Sequence, residues 1–111
     1  PPSDVEKGFE MNKKKQIIFT DGSCNPNKLV PEAKAGYAVA FVLGTLKDTI
    51  LYGSIQNTPH YASNQRAEGY AIYKAMELLK QHIDEWNEAI IVTDSDFWII
   101  LPFLCGIYIA N

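Results

Sequence analysis

Three acids, Asp21, Glu68 and Asp94, stand where carboxylates seldom occur without a partner. Asp21 closes the run Ile17-Ile18-Phe19-Thr20-Asp21, and the same ending returns in Ile90-Ile91-Val92-Thr93-Asp94-Ser95. Both runs are β-branched and aromatic, apolar on both faces, as a strand buried on both sides of a sheet reads. If the two strands are adjacent and parallel, the carboxylates meet at their C-terminal ends on backbones ~4.8 Å apart. Two carboxylates that close repel unless a cation lies between them or one is protonated. Hard oxygen donors of this kind suit Mg²⁺, with Mn²⁺ as a substitute. Nothing has zinc spacing: His60 and His82 stand alone, and Cys24 and Cys105 read as free thiols.

Glu68 joins them through a helix. Residues 64–82 place Ala71, Ile72, Ala75, Met76, Leu78, Leu79 and Ile83 on one arc at 100° per residue, with Glu68 in its middle. Tyr73, Lys74, Glu77, Lys80 and Gln81 fall opposite. A glutamate on a core stripe pairs with a core lysine, caps its own helix, or ligates a metal; the two strand-end aspartates favour the metal. Ser63 is the expected N-cap.

The other elements position these groups. Residues 35–43 and 49–55 form two further strands joined as an antiparallel hairpin through residues 44–48. Gly22 to Asn27 is dense in turn residues and reads as a loop after the first strand. Residues 84–88 link the helix to the second carboxylate strand, and Ser95 is a candidate cap for a following helix. Strand, hairpin, helix and parallel strand imply an α/β chain with a mixed sheet and packed helices. Such sheets place their sites beyond the C-terminal ends of parallel strands. Residues 1–10 read as a flexible leader and residues 11–111 as a single domain, with Met11 either a natural start or an internal residue. The apolar tail, residues 97–111, is too short for a membrane span and broken by Pro102 and Gly106; it reads as a buried helical turn followed by a short strand.

With 111 residues, 47% hydrophobic and 21% charged, the chain has the composition of one soluble domain. A net charge of −3 means that nucleic-acid binding would depend on local cations such as Lys28 and Lys34, not on an overall basic field. The Lys13-Lys14-Lys15 run is a solvated strand entrance or a phosphate-contacting patch. Two cysteines and no secretory pattern point to a reducing, cytoplasmic compartment.

In order and spacing, FTDGSCNPN (residues 19–27), AGYAVAF (35–41), SNQRAEGYAIYKAME (63–77) and IIVTDS (90–95) resemble type 1 ribonuclease H, including the ribonuclease H domains of reverse transcriptases. The resemblance covers roughly residues 16–100. It implies a five-stranded mixed sheet, the first three strands antiparallel, flanked by helices. It implies endonucleolytic cleavage of the RNA strand of RNA–DNA hybrids. Asp21, Glu68 and Asp94 match three of the family's four metal-binding carboxylates, with Asp21 bridging two cations. Gly22, Ser23, Cys24 and Asn25 after the first strand, and Ser63, Asn64 and Gln65 at the helix start, match positions that contact the hybrid. The chemistry agrees: two cations ~3.5–4 Å apart can activate a water and stabilise the leaving oxygen, and amide side chains suit minor-groove edges and 2′-hydroxyls.

The departures carry expectations too. No Asp or Glu follows Asp96, so the fourth carboxylate, which in the family follows a fifth strand, has no counterpart. Asp96 stands where the family often has a substrate-contacting Gln, and its charge disfavours phosphate. The expectation is a domain whose C-terminal part is missing or replaced. Turnover would then be weak, and the sheet edge left by a missing fifth strand would be open to dimerisation. Two alternatives stay open: a non-catalytic hybrid- or metal-binding remnant, and an integrase- or resolvase-like nuclease on the same sheet.

Overall fold

The computed structural model of the protein describes residues 15–26, 33–56, 63–94 and 106–111. Five strands and one α-helix run in the order β1 (Lys15–Asn25), β2 (Lys34–Leu43), β3 (Ile50–Ile55), α1 (Asn64–Gln81), β4 (Glu88–Val92) and β5 (Ile107–Ala110), with a 3₁₀ turn at Ile83–Glu85 between α1 and β4. The sheet order is β3-β2-β1-β4-β5. The three N-terminal strands are antiparallel, while β4 runs parallel to β1 and β5 parallel to β4.

β1 extends further than its turn-like composition suggests. Gly22 to Asn25 belong to the strand, because β2 pairs with them residue for residue as far as Lys34 opposite Asn25. Tertiary pairing here overrides local turn preference. β1 and β4 are also not buried on both faces. Along β1, Gln16, Ile18, Thr20, Gly22 and Cys24 are buried and the alternate residues from Ile17 to Asn25 are half-buried or exposed. The reason is that α1 covers one face, and among the described residues no element covers the other.

The core lies between α1 and that covered face. Ala71, Ile72, Ala75 and Leu79 pack on Ile18, Val39, Phe41, Ile91 and Ile109. Ser63 caps the helix, accepting from the Arg66 backbone N–H at 3.2 Å. Ile83, expected on the helix's apolar stripe, lies instead in the 3₁₀ turn and is exposed. Trp86 takes the space below the helix end, donating from Nε1 to the Leu79 carbonyl at 2.7 Å.

The fifth strand is present. Ile107–Ala110 of the apolar tail pair with Ala89–Val92, so β4 is an inner strand and the open edge expected beside it is occupied. Alternation explains the assignment: Ile107 and Ile109 are buried on the helix side, and Tyr108 faces out. The leader, the preceding helical turn, the Ser95 cap, and Lys13, Lys14, Lys28, His60, Asp96 and Cys105 lie outside the described residues. Among the described residues no helix is long and apolar enough to cross a membrane.

Candidate active site

The parallel pairing of β1 with β4 sets the site. Partners run from Lys15 with Glu88 to Phe19 with Val92, each separated by 73 positions (88 − 15, 92 − 19). Continuing that offset by two residues brings Asp21 level with Asp94, just past the end of the ladder. A bond from the Thr20 hydroxyl to the Val92 carbonyl, 3.2 Å, holds the two chains together there. The Thr93 N–H donates to the Ala110 carbonyl at 2.9 Å, which fixes the residue before Asp94 against β5.

Both aspartates line one hollow of about 560 Å³ on the open face, with Phe19, Ala38, Ala40, Ile50 and Val92 among its walls. Asp21 also borders a second hollow of about 460 Å³, shared with Gly22, Ser23, Gly36, Tyr52 and Ser54. The concavity comes from β2, whose open face carries only Gly36, Ala38 and Ala40 across from Ser23, Asp21 and Phe19. These small residues are part of the site that the motifs alone do not reveal. Their alternation with Tyr37, Val39 and Phe41 is the signal in the sequence.

Glu68 arrives from the other side of β1. A Cβ built on Gly22 would sit 2.2 Å from the Ala67 carbonyl and 2.5 Å from the Glu68 nitrogen, so α1 crosses β1 in backbone contact at the residue after Asp21. Gly22 therefore has a packing role that its place in the motif does not disclose. Glu68 is half-buried at the start of the helix's second turn and does not line the hollow that holds the two aspartates. Among the described residues, no three His, Cys, Asp or Glu side chains come together closely enough to hold a metal ion. The aspartate pair fits a hard divalent cation by its donor atoms and by the repulsion a cation would relieve. The third carboxylate is not brought together with them: Glu68 does not line their hollow.

The candidate substrate contacts fall into two groups. Ser23 and Asn25 are exposed on the open face, with Lys34 opposite Asn25. Cys24 points the other way: its thiol is buried, donates to the Pro26 carbonyl at 3.2 Å, and packs near Ala33. Its backbone N–H donates to Asn64 Oδ1 at 2.6 Å, tying the end of β1 to the first residue of α1. Ser63 is half-buried and serves as the helix cap, and Gln65 is exposed on the first turn.

The comparisons with known proteins bear on the fold and the family. The fold is similar to the N-terminal RNase H domain of Rv2228c from Mycobacterium tuberculosis, solved as a fusion with maltose-binding protein, at a TM-score of 0.59 and 20% identity over 77% of this chain and 55% of that one. It is also similar to the foamy viral protease-reverse transcriptase in complex with dsDNA, at a TM-score of 0.52 and 20% identity over 79% of this chain and 51% of that one. The chain thus spans about half the length of these solved chains. Among curated proteins none matches. The family model for RNase H matches residues 13–101, most of the sequence, and the chain belongs to the RNase H family.

Proposed function

We propose that this domain binds RNA–DNA hybrids and hydrolyses the RNA strand at Asp21, Asp94 and Glu68 with the help of divalent cations, Mg²⁺ or Mn²⁺. The observation that carries the reading is the level placement of Asp21 and Asp94 on adjacent parallel strands, lining one open hollow. Divalent cations at such a site polarise the phosphate and lower the pKa of a bound water. Asp21 borders both hollows and would be the acid shared by cations on either side of a bound phosphate. Asp94 would be the second ligand, and Glu68, carried by α1 where it crosses β1 at Gly22, would be the third.

Ser23, Asn25 and Gln65 are exposed polar groups on the elements that carry Asp21 and Glu68, and amide and hydroxyl side chains suit the 2′-hydroxyls and minor-groove edges that distinguish RNA. Lys34 supplies positive charge beside them in a chain of net charge −3. Membership of the RNase H family and the dsDNA bound to the foamy viral neighbour support a nucleic-acid ligand. The free, buried Cys24 is compatible with a reducing, cytoplasmic setting.

The test is cleavage of labelled hybrid, double-stranded DNA and double-stranded RNA in Mg²⁺ and in Mn²⁺. Slow cleavage confined to the RNA strand of the hybrid, lost in Asp21→Asn, is expected. Cleavage of duplex DNA in preference would move the chain to the integrase-like class. Hybrid binding without any cleavage in either metal would make it a binding module.

A further inference from the structure

Given Asp21 and Asp94 as the cation ligands of the proposed reaction, on which this depends, we infer that Thr20 is a positioning residue for the pair. Its hydroxyl fixes how Asp94 stands beside Asp21, and with it the affinity and selectivity of the two acids for a divalent cation. Both carboxylate strands end in Thr-Asp. The proposed reaction gives the aspartates a role and the threonines none. Thr20 and Thr93 are only 7 and 2% exposed, while the neighbouring Asp21 and Asp94 are exposed. Valine would match the shape of Thr20 without a polar atom, so a buried hydroxyl at this position calls for a partner.

The partner lies on the strand that leads to the other acid. Asp21 is held within β1, which continues to Asn25, and is paired with Ala38 of β2. Asp94 lies beyond the end of β4 at Val92, where the ladder with β1 also stops. Two bonds act at that point, and both fall on one peptide unit. The Val92 carbonyl accepts from the Thr20 hydroxyl at 3.2 Å. The Thr93 N–H donates to the Ala110 carbonyl at 2.9 Å. In a planar trans peptide the C=O and N–H point in opposite directions. β1 therefore holds one edge of the Val92–Thr93 unit and β5 the other, which sets the tilt of its plane. Only φ and ψ of Thr93, a buried β-branched residue, separate that plane from the Asp94 Cα.

Without the hydroxyl, the peptide plane loses its side-chain tie to β1 and gains freedom to turn. The gap between the two carboxylates then varies. Cations differ in how much of this they tolerate. Mg²⁺ demands near-ideal octahedral geometry at ~2.1 Å, whereas Ca²⁺ accepts irregular oxygen shells at ~2.3–2.6 Å. Loss of the Thr20 bond thus penalises Mg²⁺ more than Ca²⁺. A general loosening of the fold would instead weaken both alike. Groups that orient metal ligands without touching the metal typically cost ~10–100-fold in affinity when removed.

Calorimetric titration of the chain and its variants with Mg²⁺ and with Ca²⁺ tests this, and unchanged far-UV dichroism will establish that each variant is folded. Thr20→Val should weaken Mg²⁺ binding about tenfold or more and Ca²⁺ binding far less. Thr20→Ser, which keeps the hydroxyl, should recover most of the Mg²⁺ affinity. A second readout needs no metal: in EDTA, hydrogen exchange at the Thr93 amide should quicken in Thr20→Val and slow again in Thr20→Ser. Gln16→Leu, which removes buried bonds at the other end of β1, should change neither the Mg²⁺ affinity nor the Thr93 amide. Unchanged Mg²⁺ affinity in Thr20→Val, with binding lost in Asp21→Asn, overturns the positioning role and leaves the aspartates as ligands. Equal weakening of both cations, or equal weakening by Gln16→Leu, overturns it in favour of general loosening. An unchanged Thr93 amide in Thr20→Val overturns it whatever the metal does. A chain that binds neither cation before any substitution overturns the ligand pair itself, and the role of Thr20 with it.

Discussion

The backbone N–H of Cys24, near the end of β1, donates to the side-chain oxygen of Asn64, the first residue of α1, at 2.6 Å. These residues are 40 apart in sequence, and the bond fixes the helix start that carries Gln65 and Glu68 against the strand that carries Asp21. Asn64→Ala leaves the N–H of a buried residue without this acceptor, so a loss of about 1–2 kcal/mol is expected from urea denaturation. Asn64→Asp keeps an acceptor and adds negative charge at a helix N-terminus, where it is favourable. It should recover most of that loss. Equal destabilisation by both variants would mean that the bond does not set the junction.

At Gly22, strand and helix approach in backbone contact. A methyl group there would fall 2.2 Å from the Ala67 carbonyl carbon, against backbone that cannot turn aside. Gly22→Ala should therefore displace α1 and cost roughly 3 kcal/mol, at the upper end for overpacking. Hybrid affinity should fall with it, because Glu68 rides on the displaced helix. A variant of native stability that had lost hybrid binding would instead assign Gly22 a direct contact with the nucleic acid.

The pattern of the chain discloses much of this arrangement, and physical reasons account for the rest. The helix and its cap follow from the periodicity of residues 64–82 and from Ser63, because both are local. The levels of Asp21 and Asp94 follow from two matching strand endings. What local pattern could not disclose was set by pairing across the sheet: Gly22–Asn25 are turn residues that β2 draws into a strand, and the short strand legible in the apolar tail takes the fifth place in the sheet because β4 offers Ile107–Ala110 an unpaired edge. The half-open sheet is not legible in the sequence for a related reason. Ile17 and Phe19 are as apolar as Ile18, and composition does not say which face a helix will cover. The site acids were legible as residues; how closely Glu68 approaches the other two was not, since that depends on side-chain placement at a junction set by Gly22.

Gln16 is fully buried on the strand that leads to the site, and its amide is bonded at both ends. Nε2 donates to the Thr45 hydroxyl at 3.2 Å, and Oε1 accepts from the Leu46 N–H at 3.3 Å. Thr45 in turn donates to the Glu85 carbonyl at 3.3 Å, linking the β2–β3 turn to the 3₁₀ turn. The side chain fits because Gly44, at φ +106°, leaves it room. Gln16→Leu preserves the bulk and removes the bonds, so about 1–3 kcal/mol should be lost. Hydrogen exchange at the Leu46 amide should quicken more than at amides of α1. Uniform quickening would mean that the effect is global rather than local to the turn.

On the outer face of α1, Glu77 accepts from Lys74 at 3.2 Å and from the Tyr73 hydroxyl at 3.0 Å. The bond from Lys74, followed by that from Tyr73, holds its carboxyl below the usual carboxylate range. A depressed folded-state pKa means stability that is present above the unfolded-state value and lost as pH falls through the folded one. Glu77→Gln should therefore flatten the acid limb of the stability curve below about pH 5. The effect will be small and will shrink in high salt, because the groups are solvated. A larger difference between the two proteins at neutral pH than that limb accounts for would point to packing of Glu77 rather than its charge.

Divalent cations give the sharpest test of the acids themselves, because the aspartate pair is expected to be a liability without them. Asp21 and Asp94 stand level on strands ~4.8 Å apart, and two charges at that range repel by about 1 kcal/mol in water. In EDTA, Asp94→Asn should thus raise the thermal midpoint by about 4–8 °C per kcal/mol relieved. With Mg²⁺ at a hundred times its dissociation constant, the unmodified chain should gain ~2.7 kcal/mol. Both Asp21→Asn and Asp94→Asn should lose that gain. Glu68 does not line the hollow of the pair, so Glu68→Gln should leave the EDTA midpoint unchanged and reduce the Mg²⁺ increment only in part. Equal increments in all four proteins would place the cation elsewhere. An EDTA midpoint that falls in Asp94→Asn would mean that the two carboxylates are held by bonds strong enough to outweigh their repulsion.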